Sequence, residues 1–567
     1  MSFYPAASQS SSVAAGDEGD ADLPGGVMVA VRAADVTWPA GCPPREGDRS
    51  AAVVAGTAKI RSGEMVVVCK VVAVVPASVR RDGRVQAAGS PCGHARLGAA
   101  EQRLDAMCGP GAIDRFAAGA RLCGPDKKQR ARLLSAAFVM RALLLMTLMP
   151  GVPVTGVMDA LAGDLADVPW AASWHRASRK AFRAWCTAIG PRRMEDLRDE
   201  VPAASCAEHR EQRGPGEADT GGLRPWSGDG TCFRVPDTRA NRAAFGAAGG
   251  DASPYPHVRA ELLADVATRA VQAIAAGPSG TSRPAGEQAL MDQAVNCYPG
   301  AFSRGRILIL DRLWPGTARA AELISRTRVL IRVKSDITLT RISPIYPGKS
   351  WLAELRADDV TVTVRVIEYD VHVDGQDVPE TFCLITSLLD WQDHPAAGLA
   401  ALYRWRWNGS ETGIGEIKSC ITGSGPGTGP MLRSRTPDLI YQELAALITA
   451  AELVRGIARD AAATAVPARR GTRAGQPVRP REISFTAARR AALASVTSGT
   501  CTASLPPAVT TAAYQAVTAA VSRCRITLDR GRHRDRKTRS GPAFPAAPRN
   551  ITSRTAAAVI TVCGTAA

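Results

Sequence analysis

The sequence is poor in the residues that build zinc sites and disulfide frameworks. It holds seven histidines, and none of them is spaced from another His or Cys as zinc ligands are. Its 14 cysteines are scattered singly from Cys42 to Cys563, with no Cys-x-x-Cys pair. Single thiols spread over a chain of 567 residues are typical of a reducing compartment. We therefore expect neither a structural zinc site nor a disulfide scaffold.

Long uncharged apolar runs are also absent. The most apolar stretch, which begins at Leu133, is interrupted by Arg141, Pro150 and Pro153. No run of about 20 apolar residues is therefore available to cross a bilayer. The opening residues MSFYPAASQSSS lack the charged and apolar regions of a secretory signal. We expect a cytoplasmic protein without a membrane partner.

Negative charge is scarce relative to positive charge. The chain has 70 Lys and Arg against 53 Asp and Glu, a net charge of +17. Residues 461–567 hold 17 basic and 3 acidic residues and so carry +14 of this excess. The densest run includes Arg532, Arg534, Arg536 and Lys537. The excess favours a polyanionic partner, either nucleic acid or an anionic membrane surface, although such a run is also typical of a solvated tail.

Hydropathy patterns divide the chain into four regions and predict an α/β protein. Alternating strand and helix signals, including strand-like runs that predict a mainly β insertion at 331–389, follow a Gly- and Pro-rich linker. The regions are a poorly ordered or mis-started extension (1–97), an α-helical domain (98–215), an α/β domain (216–460) and a basic C-terminal region (461–567).

One helix of the predicted α-helical domain is strongly basic. The stretch SWHRASRKAFRAWCTAIG places Arg176, Arg179 and Lys180 along one amphipathic segment. Such a segment is suited to lie on DNA phosphates, and an ordinary solvated helix face is an equally good interpretation.

Three carboxylates stand out by their context. Asp229 lies in WSGDGTCFRVPDT, Asp311 ends the apolar run RILILD, and Glu411 lies in YRWRWNGSETGIGEIK. Taken singly, they are typical of a turn, a helix cap and a helix surface. Carboxylate oxygens are also the ligands that Mg²⁺ prefers, and two such ions about 4 Å apart promote in-line phosphoryl transfer. If a sheet brings the three acids together, the sequence predicts a site for two Mg²⁺ ions, with Mn²⁺ as a substitute.

The third acid lies in a motif that resembles the DDE transposases of bacterial insertion sequences, specifically the insertion-element-four group. The hallmark Tyr-x2-Arg-x3-Glu-x6-Lys is similar to the arrangement of Tyr403, Arg406, Glu411 and Lys418, which has one extra residue between Arg and Glu. The phrases DGTCFRVPDTRANRAAFG, YPHVRAELL, ILILDR, IRVKSDITL and LRSRTPDLIYQELAAL also resemble that family. The resemblance runs from about residue 225 to 490.

This resemblance implies a ribonuclease H-like catalytic core, preceded by the α-helical domain, in a DNA transposase and endonuclease. Asp229 and Asp311 would lie on strands and Glu411 on a helix beyond the β insertion, as catalytic metal ligands. Tyr403, Arg406 and Lys418 would contact phosphates. The implied reaction cleaves transposon ends, passes through a DNA hairpin and joins the ends to target DNA. The implied partners are terminal inverted repeats, target DNA and a second copy of the chain, in a bacterial cytoplasm at the nucleoid.

The extra residue before Glu411 requires an interruption of the helix. Asn-Gly-Ser at 408–410 favours a turn and a helix restart, which would return Glu411 to the face of Arg406. On a regular helix Glu411 and Lys418 would then be about 20° apart. Glu416 is the alternative third acid. Trp391, Trp405 and Trp407 are candidates for stacking on an unpaired base, although tryptophans beside a sheet are more often core residues.

Three other functions are compatible with parts of the pattern. A ribonuclease H-like nuclease that cuts without joining shares the three acids. A transposase-derived DNA-binding protein without catalysis would tolerate the altered motif spacing. A glycosidase with paired carboxylates explains neither the basic excess nor the Tyr-Arg-Glu-Lys cluster, and it is the weakest of the three.

Overall fold

The computed structural model describes four strands near the N-terminus and most of the chain beyond residue 96. Within these segments, no helix is both long and apolar enough to span a membrane. The described segments are 3–5, 27–31, 53–61, 64–72, 97–122, 134–166, 177–212, 222–246, 255–279, 286–297, 305–311, 317–333, 337–357, 359–373, 380–409, 411–421, 431–467, 475–497, 507–526 and 558–561.

The four N-terminal strands form an antiparallel sheet of their own. They are β1 (Phe3–Pro5), β2 (Val27–Val31), β3 (Val53–Arg61) and β4 (Glu64–Val72), paired in chain order. The apolar strand β4 pairs along its whole length with β3. The description of 1–97 as a poorly ordered or mis-started extension stays a prediction.

Five helices lie in the described residues between 97 and 212. One of them, α3, is buried on nearly every side, and its Arg141 is fully buried in ion pairs with Glu101 and Asp114. Ser135 caps this helix by accepting a hydrogen bond from the Phe138 N–H. The helices are α1 (Ala99–Cys108), α2 (Ala112–Ala117), α3 (Ala136–Leu148), α4 (Val154–Ala166) and α5 (Arg179–Gln212, kinked at Gly190).

The larger sheet has ten strands in mixed orientation, so the predicted α/β class is confirmed. Within it, β5 pairs in parallel with β8 on one side and antiparallel with β6 on the other, and β9 is parallel to β8. The elements are β5 (Arg224–Arg234), α6 (Arg239–Phe245), β6 (His257–Asp265), β7 (Val271–Pro278), α7 (Glu287–Cys297), β8 (Arg306–Leu310), α8 (Thr317–Arg326) and β9 (Val329–Arg332).

Four strands that extend this sheet lie within 331–389. They are β10 (Leu339–Arg341), β11 (Ser350–Ala357), β12 (Val360–Val373) and β13 (Glu380–Thr386), and β13 joins them antiparallel to β9. The helices that follow are α9 (Ala396–Gly409), α10 (Glu411–Gly415) and a π-helix (Glu416–Ile421). They pack against the sheet again, and α9 contacts β5 and β8.

The start of α9 is anchored by a fully buried arginine of β12. Arg365 donates hydrogen bonds to the Ser350 hydroxyl and to the carbonyl oxygens of Asp390 and His394, the last at 2.6 Å. Burial lowers the pKa of Arg365 to about 10. This cation is costly to bury because its hydrogen-bond acceptors are neutral oxygens. Its bonds to the carbonyl oxygens of Asp390 and His394 hold the loop that precedes α9.

The last helices complete one hydrophobic core with the first ones. The long helix α11 is buried over most of its length, and it contacts α1, α3, α5, α12 and α13. Residues on both sides of the predicted boundaries at 215 and 460 therefore share a core. The elements are α11 (Pro437–Ala463), a short 3₁₀ turn (Pro480–Glu482), α12 (Phe485–Thr497), α13 (Pro507–Ser522) and β14 (Ala558–Thr561), which pairs with β12.

Candidate functional site

Two of the predicted acids lie side by side on neighbouring parallel strands. Ser227 of β5 is in register with Ile309 of β8. The residues two positions further along each strand are Asp229 and Asp311, so both point to the same face at the same end of the sheet. Asp311 directly follows the last residue of β8. The parallel pairing thus explains how acids 82 positions apart in the sequence come to lie together.

The third acid joins them around a single arginine. Arg406 of α9 is only 3% exposed, and its guanidinium lies 4.0 Å from an Asp229 oxygen, 3.7 Å from an Asp311 oxygen and 3.1 Å from Glu411 Oε1. The Glu411 contact is a hydrogen bond. Asp229, Asp311, Glu411 and Arg406 are referred to below as the acid cluster. One buried cation therefore contacts all three of the acids singled out in the sequence.

The charges of the acid cluster perturb one another. Burial raises the pKa of Glu411, and Asp229 and Asp311 raise it further, whereas Arg406 opposes the shift. Burial alone would lower the pKa of Arg406, but Tyr403 and the three carboxylates raise it instead. The cluster therefore holds more negative charge than its arginine neutralises.

Helices α9 and α10 lie on either side of the position where the motif has its extra residue. Helix α9 ends at Gly409 and α10 begins at Glu411, with Ser410 outside the described residues. Gly409 is buried against the sheet, and a Cβ at this position would lie 2.5 Å from Ser227 Oγ and 3.0 Å from Val266 Cα. Only glycine lets the end of α9 approach the strand of Asp229 so closely.

We expect Gly409→Ala to destabilise the protein by about 1–3 kcal/mol, because the added methyl group overlaps Ser227 and the backbone of Val266. Chemical denaturation of both variants measures the effect. The matched control is Gly398→Ala in the same helix, where a Cβ meets no atom within 4 Å, and a gain of about 0.5–1 kcal/mol is expected. Equal stabilities of the two variants would contradict the close approach.

Lys418 lies near the acid cluster, but not on the regular helix that was predicted. The chain changes from α-helix to π-helix at Glu416, so the expected offset of about 20° from Glu411 is wrong. Burial lowers the pKa of Lys418, and the nearby Cys232 and Asp229 oppose that shift. Its ammonium group is thus half-buried within the field of the first acid.

Glu416, the alternative third acid, lies elsewhere. Its carboxylate forms ion pairs with Arg269 and Arg455 and its side chain is 11% exposed. The ion-pair partners of Glu416 are therefore Arg269 and Arg455, whereas Glu411 contacts Arg406 directly. The structure therefore brings Glu411, rather than Glu416, to the other two acids.

Tyr403 is buried beneath the cluster. It is 3% exposed, its ring packs edge-on against Phe382, and its hydroxyl hydrogen-bonds the Arg406 side chain. Burial raises the pKa of Tyr403 to about 12. Its predicted phosphate contact would require a rearrangement, because in this structure Tyr403 supports Arg406 from the protein interior.

The three tryptophans have different surroundings. Trp407 is 47% exposed beside Arg406, whose guanidinium carbon is 5.6 Å from the ring centroid. Trp405 is half-buried beneath the Arg481 guanidinium, and Trp391 stacks on Tyr346. Among the three, Trp407 has the most exposed ring beside the acid cluster.

The predicted basic contacts are described only in part. Arg179 and Lys180 are exposed at the start of α5. The other predicted contacts, Arg176, Arg532, Arg534, Arg536 and Lys537, lie outside the described residues.

Three arginines near the acid cluster or its segment were missed in the sequence. Arg332 ends β9 beside the Phe382 ring and lowers the pKa of Tyr403 by its charge. The sequence did offer a signal for Arg332, because it lies in the phrase IRVKSDITL, one strand from Asp311. No local pattern marks Arg269 or Arg455. Arg269 reaches Glu416 from a turn and Arg455 from a buried helix, and both are distant in the sequence.

The acid cluster has the carboxylate oxygens that bind divalent cations, and the Arg406 guanidinium lies among these oxygens. The acid side chains are 30–40% exposed, so ions in solvent can reach them, and carboxylate oxygens are preferred Mg²⁺ ligands. In the part of the chain that the structure describes, no three Asp, Glu, His or Cys side chains are arranged to hold a metal ion. The three acids therefore suit Mg²⁺ by residue type, but as arranged around Arg406 they do not form a metal site, and ion binding would require Arg406 to move aside.

Comparisons with known proteins identify no family for this chain. No family model matches it, and no curated protein matches it. Among solved structures, it is similar to a piggyBac transposase seen by cryo-EM in a synaptic complex with hairpin DNA, with 13% sequence identity and a TM-score of 0.35. The similarity covers 70% of this chain and 80% of that chain. At that level of similarity, the functional interpretation depends on the acid cluster itself.

Proposed function

We propose that this protein is a DNA transposase that cleaves transposon ends and joins them to target DNA by phosphoryl transfer with two Mg²⁺ ions. The observation that carries the proposal is the convergence of Asp229, Asp311 and Glu411 on the Arg406 guanidinium, within 4.0 Å. A mixed sheet with the first acid on its first strand, the second on a parallel neighbour and the third on a helix beyond a β insertion is consistent with a ribonuclease H-like core.

Asp229, Asp311 and Glu411 would hold the ions. Bound there, Mg²⁺ would activate the attacking oxygen and stabilise the leaving oxygen. In the first stage, a water oxygen bonds to phosphorus while the strand's 3′ oxygen leaves as a hydroxyl. In the second stage, that 3′ hydroxyl attacks another phosphodiester, whose own 3′ oxygen leaves. The joining stage conserves the number of phosphodiesters, so it needs no energy-supplying cofactor.

The cationic side chains around the cluster are suited to hold the DNA strand. Once displaced from the three carboxylates, Arg406 would offer a planar fork that matches phosphate oxygens, and Lys418 would offer a compact charge near Asp229. The exposed Arg179 and Lys180, together with the net charge of +17, favour further phosphate contacts that weaken with salt. Two transposon ends must meet in one complex, so the proposed assembly on DNA is a homodimer.

Two related functions share this geometry. A nuclease without strand transfer uses the same three acids and differs only in its products. A DNA-binding protein that has lost catalysis is favoured by one observation, namely that Arg406 already neutralises part of the charge that metal ions would neutralise.

The test incubates the purified full-length protein with Mg²⁺, labelled DNA from the sequences on either side of its gene, and a supercoiled target plasmid. If the protein is a transposase, nicked ends, hairpin ends and products joined to the plasmid are expected, and none of them should form with EDTA. Nicking without joining would support the nuclease, and binding without nicking would support the DNA-binding protein.

A further inference from the structure

The segment that carries Glu411 is too short and irregular to hold its own position. Helix α10 has five residues, Glu411–Gly415, and runs into a π-helix at Glu416. Isolated helices of this length are not stable in water, because the cost of nucleation exceeds the gain from a few hydrogen bonds. The position of Glu411 must therefore be set by contacts with the rest of the protein.

Those contacts converge on Glu416 and Arg455. The Arg455 guanidinium donates to Glu416 Oε2 at 3.2 Å, to the Gly413 carbonyl at 3.0 Å and to the Arg269 carbonyl at 2.7 Å. The Arg269 guanidinium in turn pairs with Glu416 Oε1. One arginine of α11 thus contacts the Glu411 segment both through a side chain and through its backbone.

Arg269 belongs to the tight turn between β6 and β7. It has a left-handed backbone, with φ of 62°, which non-glycine residues adopt only where the surroundings impose it. Asp265 Oδ1 accepts hydrogen bonds from the Ala267 and Thr268 backbone N–H groups and from the Thr268 hydroxyl. Asp265 is also paired with Trp226 of β5, the strand of Asp229. The turn is therefore rigidly attached to the strand of the first acid.

Arg455 is held from its other side by a second buried carboxylate. Glu452 is fully buried, lies 3.7 Å from Arg455 and 2.9 Å from Arg459, and accepts a hydrogen bond from the Ser205 hydroxyl of α5 at 2.6 Å. The network therefore runs from α5 through α11 to the segment of Glu411. Because its charged groups are buried and mutually paired, removing one carboxylate leaves arginines without compensation.

We propose that Glu416 is a positioning residue, which sets the place of Glu411 relative to Asp229 by joining the third-acid segment to the β6–β7 turn and to α11. This inference rests on the proposed function, because it assigns Glu416 a role in assembling the metal ligands. Glu416 does not itself contact the ions or the DNA. Its effect is exerted through Arg269 and Arg455.

The test compares Glu416→Gln with Glu443→Gln in the full-length protein. Glu443 is also a buried carboxylate that contributes to the same core, but its oxygens accept N–H groups of Arg433 and Ser434. Three quantities are measured: the melting temperature, Mn²⁺ affinity by calorimetry without DNA, and amide hydrogen exchange. The exchange is followed in peptides that cover residues 411–421.

Both variants are expected to melt at lower temperature than the wild type. Only Glu416→Gln is expected to weaken Mn²⁺ binding, by about 10- to 100-fold, the range seen when partners of metal ligands are removed. The backbone amides of residues 411–421 should also exchange hydrogen faster in Glu416→Gln than in the wild type. Unchanged Mn²⁺ affinity and exchange in Glu416→Gln, with wild-type protein that binds Mn²⁺, would overturn the positioning role. Failure of the wild type to bind Mn²⁺ would instead overturn the proposed metal site.

Discussion

Replacing Asp229, Asp311 or Glu411 by its amide is expected to reduce DNA cleavage by about a thousandfold or more. Each change keeps the size of the side chain but removes one charged oxygen donor. Stabilisation of the transition state by bound cations is worth several kcal/mol, and about 4 kcal/mol corresponds to a thousandfold in rate. The measurement is single-turnover cleavage of a labelled transposon end at fixed Mg²⁺.

DNA binding by the three variants should be retained, because each removes negative charge beside the bound strand. Gel-shift titration at constant salt measures this. The control is Asp393→Asn, an exposed acid before α9 for which wild-type cleavage is expected. If Glu411→Gln cleaved normally and Glu416→Gln lost cleavage entirely, the third ligand would be Glu416 and the interpretation of the acid cluster would be wrong.

Replacing Arg406 by Gln is expected to make the stability of the protein depend on divalent cations. Without Arg406, the three acids lose their shared cation. Removing one partner of a fully buried ion pair costs about 3–5 kcal/mol, and the partly exposed acids reduce this to about 2 kcal/mol here. The melting temperature in EDTA should therefore fall. Added Mn²⁺ should restore much of it, because a ligand that binds only the folded state stabilises that state.

The wild-type protein should gain less from Mn²⁺ than Arg406→Gln does, because in the wild type the cation must displace a guanidinium that already neutralises part of the charge. Thermal unfolding of both proteins, with EDTA and with saturating Mn²⁺, gives the comparison. Arg404→Gln is the matched control, since it removes an exposed arginine from the same helix. Equal gains in the wild type and Arg406→Gln would show that Arg406 does not compete with the cation.

Much of the candidate site was predictable from local sequence. Asp311 ends a short apolar run, and such a run is a buried strand in the structure. Glu411 begins helix α10, and the helix restart predicted at 408–410 stays a prediction because Ser410 lies outside the described residues. These features depend on residues close together in the chain. Local pattern is therefore sufficient to indicate them.

The remaining features depend on distant partners. The π-helix that begins at Glu416 replaced the regular helix predicted from Glu411 to Lys418. No nearby residue indicates it, because Arg269 and Arg455, which bind Glu416, are 147 and 39 positions away in the sequence. The burial of Tyr403 beneath Arg406 was missed for a similar reason, since Phe382 of β13 covers it.

The sequence by itself determined the kinds of element, the three candidate acids and the basic character of the chain, because periodicity, motif and charge are properties of neighbouring residues and of composition. Only the tertiary structure decided that Glu411 rather than Glu416 joins Asp229 and Asp311 around the Arg406 guanidinium. The reason is physical. Strand register sets which side chains become neighbours, and carboxylates brought this close together require a cation between them.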